Sequence, residues 1–211
     1  MKNILNLKPN TIIGDLYEGS IVLDSWKGFQ SRQGPYCAKD KQFATGELKV
    51  FIYGNAIDYV KISSIDQINA LNFLFENQEH IKKSLLSALQ NELPELTALY
   101  DDLTPSIERI EDFSSVIGLS NIHVLNSEKE NYAYVGYEFG CEWEEEHGLG
   151  IMTHKDKIIS IGQADTAFDC WTTFEDKGTI EMERESWKRK HSQTYKFNQD
   201  DPKIKPWWKF W

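Results

Sequence analysis

Apolar side chains recur along this chain with two different periods, and each period predicts a different element. From residue 68 to residue 89 they recur mostly every three or four positions, which places them on one face of a helix. Ser64 and Gln67 match a capping box, in which both side chains satisfy backbone N–H groups at a helix start. We therefore predict a long amphipathic helix that begins at Ser64 and runs to about Pro94. Its core-packing stripe comprises Ile68, Leu71, Leu74, Phe75, Ile81, Leu85, Leu86 and Leu89.

A period of two takes over after residue 120 and predicts strands. In YAYVGYEFGCEW, residues 132–143, apolar positions alternate with the rest, so we predict a long strand with one packed face and one wet face. The segments at 122–125, 149–154 and 157–162 are predicted as its antiparallel neighbours in a meander. The packed face of the long strand would comprise Ala133, Val135, Tyr137, Phe139, Cys141 and Trp143.

Further elements are predicted in the remaining sequence. β-Branched and aromatic residues favour strands at Ser20–Trp26 and Glu47–Tyr53, and a short helix is expected from Glu111 to Ile117, with Gly118 placed to end it. The fold class predicted is α+β: an antiparallel β-meander sheet, or sheets, packed against one long amphipathic helix, with a short second helix.

The expected domain organisation is one α+β domain with a C-terminal extension. The domain spans residues 1–176. Alternatively, it is divided into an N-terminal β part at 1–62 and a C-terminal β part at 120–170, which the helices join. Residues 177–211 form a basic extension that ends in the aromatic sequence WWKFW. Aromatic side chains gain several kcal/mol from burial, so this tail is expected to dock on its own domain or on a partner.

Composition narrows the class of protein. The chain has 211 residues, of which 40% are apolar and 27% charged, as in ordinary globular proteins. Its apolar runs are too short for a membrane-spanning helix, and its first ten residues lack the apolar core of a signal peptide, so a cytoplasmic location without membrane binding is predicted. Three cysteines without CxxC spacing favour reduced thiols.

The charge of the chain is unevenly distributed. Its net charge is −10, but residues 177–211 hold nine Lys and Arg against five Asp and Glu. The first 176 residues therefore hold 14 basic against 28 acidic side chains, a net charge of −14. A body this acidic repels phosphate backbones and attracts basic proteins or cations, so nucleic acid is excluded as the expected partner.

The densest cluster of negative charge lies at residues 138–146, which overlap the sequence GCEWEEEHGLG at 140–150. Five glutamates occur within nine residues without Lys or Arg, and at about 7 Å each like-charge pair costs roughly 2.4 kcal/mol at an effective dielectric near 20. The cluster must be solvated or must meet a cation. A solvated loop, a docking patch for a basic protein and a site for a hard cation are the three interpretations. The docking patch would comprise Glu138, Glu142, Glu144, Glu145, Glu146 and His147.

Sequence motifs for catalysis are not found. The chain has no HExxH, GxSxG, P-loop or GxGxxG sequence, and Cys141 falls on the apolar face of its strand, where a thiol stays protonated. No catalytic residue and no organic cofactor are therefore predicted. Asp165 and Asp169 lie at i and i+4 and either hold a cation or cap a helix. The candidate metal ligands are His147, His154, Asp165 and Asp169.

The order of these segments resembles an uncharacterised bacterial domain family of unknown function. The resemblance covers about residues 10–170 and rests most specifically on GCEWEEEHGLG followed by GQADTAF. It implies a small cytoplasmic protein, some of whose relatives lie near genes for polymorphic toxins and their immunity proteins. It implies no catalytic residue.

Three functional hypotheses follow. The first is a non-enzymatic, immunity-type binding protein that covers a basic site on a partner such as a cognate toxin with its acidic surface. The second is a metal-dependent enzyme or regulator that uses His147, His154 and Asp165. The third is a structural or assembly module that associates through the aromatic tail.

Overall fold

The computed structural model describes residues 5–10, 16–32, 34–37, 42–54, 64–98 and 104–199. The chain divides into two compact units, Met1–Thr173 and Phe174–Trp211, and each is described by itself. No helix among the described residues has the length and apolar character needed to cross a bilayer.

A seven-stranded sheet dominates the first unit. Its strands are adjacent in sequence order from β1 to β7, and all neighbours are antiparallel except β3 and β4, which are parallel. Because the parallel pair needs a crossover, the long helix lies in the connection between β3 and β4. The strands are β1 (Leu5–Pro9), β2 (Leu16–Val22), β3 (Glu47–Tyr53), β4 (Ile117–Lys129), β5 (Tyr132–Cys141), β6 (Leu149–His154) and β7 (Lys157–Gly162).

Helix α1 (Ile65–Leu96) packs across β4, β5 and β7 and confirms the predicted amphipathic helix. Its start carries the predicted capping box, since Ser64 Oγ accepts from the Gln67 backbone N–H and Gln67 Oε1 accepts from the Ser64 backbone N–H. Gln67 Nε2 also donates to the backbone carbonyls of Tyr53 and Leu125, which ties the helix start to β3 and β4. The fold is therefore α+β, as predicted.

The inner face of the sheet forms the core against α1. The predicted packed face of β5 is confirmed, because its alternate side chains are all buried in one apolar cluster with the helix. Burial raises the pKa of the Cys141 thiol to about 12, as expected for a structural cysteine.

The outer face of β5 was predicted to be wet, and this prediction is wrong. Gly136 and Gly140 are buried because two other segments of the chain lie against them, and Tyr134 is buried in a small cluster with Leu125 and Met152. One of the two segments consists of residues 30–32 together with Gly34, and the other is a 3₁₀ turn at Ala164–Ala167. The glycines on this face have no side chain, and the room this leaves is filled by the covering segments.

Several boundaries differ from the predicted ones. The segment Ser20–Trp26 is a strand only to Val22, after which Asp24–Trp26 form a 3₁₀ turn. The short second helix is also of the 3₁₀ type and covers Ile110–Ser115, because β4 already begins at Ile117. Strands β3, β6 and β7 have the predicted bounds.

Helix α2 (Cys170–Asp176) begins in the first unit, and helix α3 (Ile180–Gln199) lies in the second. Met182 and Trp187 are exposed on α3. The WWKFW tail at residues 207–211 lies outside the described residues, so its predicted docking stays a prediction.

Candidate functional site

The acidic loop, residues Glu142 to His147, connects β5 to β6 in a defined turn. Glu144 turns inward, with a side chain only 10% exposed, and its carboxylate accepts hydrogen bonds from the backbone N–H groups of Glu146 and His147. Gly148 closes the turn with a positive φ of 63°, which favours glycine. Glu144, one of the predicted docking residues, therefore holds the loop together from within, and a role of its own in docking stays a prediction.

Two further glutamates of the loop are bound by side chains from a distant segment. Gln30 Nε2 donates to Glu142 Oε1 over 2.7 Å, and Arg32 Nη1 donates to Glu145 Oε1 over 3.2 Å. The Arg32 side chain is only 3% exposed, and its Nε donates to Gln30 Oε1. The acidic loop is therefore already paired with a cation of the protein itself, the buried Arg32.

Two glycines explain why this segment fits over the sheet. Gly118 of β4 and Gly140 of β5 lie directly opposite each other. A Cβ on Gly118 would lie 2.6 Å from the Gln30 carbonyl oxygen, and one on Gly140 would lie 2.4 Å from Arg32 Cδ. Side chains at these two positions would therefore displace Arg32 from the loop.

Glu138, the sixth residue of the predicted patch, lies apart from the loop in a cluster of buried polar side chains on the outer face of the sheet. Its carboxylate Oε2 contacts His123 Nε2 at 2.8 Å and accepts from Asn121 Nδ2 at 2.9 Å. His123 Nδ1 lies 3.1 Å from the hydroxyl of Tyr53, and Phe51 stacks on the imidazole ring.

The charge state of Glu138 follows from this cluster. Burial acts to raise the pKa of its carboxyl, but hydrogen bonds from His123 and Asn121, with the electrostatic effects of His123 and Lys49, outweigh burial, so the pKa lies below its usual value. Burial and the Glu138 charge raise the pKa of the Tyr53 hydroxyl. Glu138 is therefore a carboxylate with internal partners, and its membership of the predicted docking patch stays a prediction.

Three residues of the loop are exposed to solvent: Glu145, Glu146 and His147. Tyr36 lies beside them, because its backbone N–H donates to the Glu145 carbonyl over 2.6 Å. The Tyr36 ring is 75% exposed although its backbone has a φ of +59°, which is unfavourable for a bulky residue. We call Tyr36, Glu145, Glu146 and His147 the loop surface.

The four candidate metal ligands occupy separate environments. His154 is buried, with Nε2 against the Lys129 carbonyl at 2.7 Å, whereas His147 and Asp165 are exposed. Asp169 accepts from the backbone N–H groups of Trp171 and Thr172, which is the helix cap that the sequence offered as the alternative. Among the described residues no group of three His, Cys, Asp or Glu side chains is arranged to hold a metal ion, and the metal hypothesis stays a prediction.

The sequence GQADTAF, residues 162–168, forms the second segment on the outer face. Its 3₁₀ turn lies on two more glycines, since a Cβ on Gly136 would lie 1.6 Å from the Ala167 carbonyl oxygen and one on Gly150 would lie 2.4 Å from that of Gln163. The Ala164 backbone N–H donates to the His147 carbonyl over 3.0 Å. The turn therefore fastens the end of the acidic loop to the sheet.

Sequence reasoning missed five residues of this region. A lone arginine or histidine carries no local signal of burial, and the contacts of Arg32 with Glu145 span more than a hundred positions. The available signal was the spacing of glycines in strands, since glycine inside a strand marks a close approach of backbone. The missed residues are Gln30, Arg32, Tyr36, Tyr53 and His123.

Fold and site together define an α+β domain in which an acidic loop is fixed to its own sheet by a buried arginine and two overlying segments. The family model of a domain of unknown function, DUF6985, matches residues 17–168, and the chain belongs to this family. The matched region contains both overlying segments and the whole loop. The predicted resemblance to an uncharacterised family is thereby confirmed. No curated protein and no solved structure matches the chain.

Proposed function

We propose that this protein is a non-enzymatic binding protein whose loop surface holds a basic segment of a protein partner. The observation that carries the proposal is Tyr36, a largely exposed aromatic ring held in an unfavourable backbone conformation beside two exposed carboxylates. Strained backbone persists only where its surroundings enforce it, and such strain is concentrated at binding sites.

The fixed shape of the loop favours binding. Glu144 and Arg32 hold the loop from within, so Glu145 and Glu146 are presented on a backbone that is already ordered. A partner that binds such a surface does not have to order the loop, and less of the interaction energy is lost.

The residue types of the loop surface suit a basic partner. Tyrosine is common among the residues that contribute most to protein interfaces, and its ring also attracts Lys and Arg through cation–π contact. The net charge of −14 on residues 1–176 attracts a basic protein from a distance and speeds its association. Because Glu145 is already engaged by Arg32, Glu146 is the loop carboxylate best placed to pair with a partner's cation.

The more specific form of the proposal is a cytoplasmic, immunity-type protein of bacterial origin that covers a basic site on a cognate toxin. Its support is the resemblance of CEWEEEHGLG and GQADTAF to an uncharacterised family with relatives near toxin and immunity genes. The binding proposal does not depend on this role, since it rests on the chemistry of the loop surface.

Affinity capture from the native host tests the proposal. The full chain, the variant Tyr36→Ser/Glu146→Lys and the control Glu76→Lys are used as baits and compared at low and high salt. Glu76 is exposed on α1, which packs on the other face of the sheet, and its replacement makes the same charge change as Glu146→Lys. We expect wild type and control to retain a basic protein in a salt-sensitive manner, and the loop variant to lose it.

Two outcomes would overturn the proposal. One is that wild type retains no basic protein. The other is that the loop variant, shown by circular dichroism to be folded, retains that protein as well as wild type does.

A further inference from the structure

A pocket of about 460 Å³ opens on the outer face of the sheet, over β2, β3 and β4. Its floor contains a row of directly paired residues, Ser20 of β2, Lys49 of β3 and Asn121 of β4. Residues 42–45 and the Ser31–Arg32 segment form its sides. The pocket is separate from the loop surface, whose four residues do not line it.

Two polar groups of this pocket, the Lys49 ammonium and the Ser31 hydroxyl, lack an ordinary partner among the described residues. Lys49 forms no salt bridge with a described residue: its ammonium lies 6.0 Å from the centre of the Phe51 ring, and its charge helps to lower the pKa of the Glu138 carboxyl. The Ser31 hydroxyl is buried without a hydrogen-bond partner. Buried hydroxyls are nearly always hydrogen-bonded, so an orphaned one in a pocket wall marks a place for a ligand atom or a water molecule.

The remaining lining combines polar and apolar surface. Phe43 is 73% exposed at the side of the pocket, whereas Leu48 and Leu119, which also line it, are buried in the core. Glu47 contributes the only carboxylate of the described lining and is itself exposed. The pocket therefore offers one aromatic surface beside several polar groups, and polar groups of this kind orient a ligand in small-molecule sites.

We propose that this pocket binds a small organic anion. Its carboxylate or phosphate oxygens lie against the Lys49 ammonium and accept a hydrogen bond from the Ser31 hydroxyl, and its apolar part lies against Phe43. Asn121 lines the same pocket, and its side-chain amide donates to Glu138, which also contacts His123. A bound anion therefore also changes the environment of His123.

Titration of the ¹⁵N-labelled full chain tests this inference with two probes, inorganic phosphate and benzoate. We expect saturable shifts of the Ser20, Ser31 and Asn121 amide signals with at least one probe, and a smaller shift of the His123 signals. Response to phosphate alone assigns a phosphate head group, response to benzoate alone a carboxylate, and response to both an unselective anion site.

Two variants make the result specific to the pocket. Lys49→Gln removes the proposed charge partner, and we expect it to weaken binding about tenfold or more. Lys83→Gln makes the same charge change at an exposed position on α1, which does not line the pocket, and binding should be unchanged. The inference is overturned if neither probe gives saturable shifts, or if Lys49→Gln, with the thermal stability of wild type, binds as tightly as Lys83→Gln.

Discussion

Replacement of Gly136 by alanine should strongly destabilise the sheet, because backbone from the 3₁₀ turn at 164–167 occupies the space that a side chain would need. The new Cβ would lie 1.6 Å from the Ala167 carbonyl oxygen and 2.4 Å from its carbonyl carbon. An ordinary contact begins near 3.4 Å, so the turn would have to recede by about 1.8 Å. The obstacle is backbone, so a change of rotamer cannot relieve it.

The magnitude follows from what this movement disrupts. Overpacking of a well-packed interior costs about 1–3 kcal/mol when side chains can adjust. Here the turn also carries the buried Ala164 and Ala167 and the hydrogen bond to the His147 carbonyl, so we expect at least about 3 kcal/mol. In a domain of this size that corresponds to a fall in the midpoint of thermal unfolding of roughly 6–12 °C, measured by circular dichroism.

Gly28→Ala is the matched control. Gly28 has a φ of +85° and no atom within 4 Å of the added Cβ, so this change tests backbone strain without overlap and should cost about 1 kcal/mol. If Gly136→Ala unfolds within about 2 °C of wild type, the turn does not lie on β5 and the account of the GQADTAF sequence is refuted.

Three further outcomes are expected. Glu145→Ala should lower the free energy of unfolding by about 1–2 kcal/mol, because it leaves the buried Arg32 without its carboxylate partner. Glu146→Ala, the control, should change the free energy of unfolding by no more than about 0.5 kcal/mol. Equal effects of the two changes would contradict the internal ion pair. The Cys141 thiol, with its pKa raised to about 12, should resist a thiol reagent at pH 8 until the protein is unfolded, whereas the exposed Cys170 should react in the native protein. Rapid labelling of Cys141 itself in the native protein, located by peptide mapping, would contradict its burial. The folded-state pKa of Glu138 is depressed, so its contribution to stability is present above the usual value of 4.5 and is lost as pH falls through the folded value. Glu138→Gln should therefore flatten the dependence of unfolding free energy on pH below about pH 4.5. An unchanged pH dependence would refute the internal pairing of Glu138.

The sequence predicted well those elements that depend on local periodicity. The spacing of Leu71, Leu74, Ile81 and Leu85 and the capping box at Ser64 require only neighbouring residues, and the structure confirms helix α1 with its predicted start. The same holds for β6 and β7, whose alternation and short connection are local. For such elements, the side-chain pattern that predicts the element lies entirely within the element itself.

Prediction was wrong where distant segments meet. The alternation along residues 132–143 predicts a wet face for β5, yet Gly136 and Gly140 on that face are covered, the first by the backbone of Ala167 and the second by the Arg32 side chain and the Gly34 carbonyl. The glutamates of the acidic loop were assigned together because they are adjacent in sequence. Their environments differ, since Arg32 reaches Glu145 while Glu144 bonds the backbone of its own loop. The glycines in the strands indicate that something approaches closely, but the sequence does not say which distant segment does so, because these contacts form only when segments far apart in the chain come together.

The single parallel pairing in the sheet has a consequence for the order of assembly. Lys49 of β3 pairs with Asn121 of β4, 72 positions later, whereas Phe139 of β5 pairs with Leu149 of β6, only 10 positions later. Loop-closure entropy makes the first contact cost about 4 kcal/mol and the second about 2. The hairpins of β4 to β7 can therefore form early, and β1 to β3 join at β4 only after α1 has closed the crossover. The contact of Arg32 with Glu145 spans 113 positions, so the acidic loop acquires its internal cation only through this still longer closure, and until then its carboxylates repel one another.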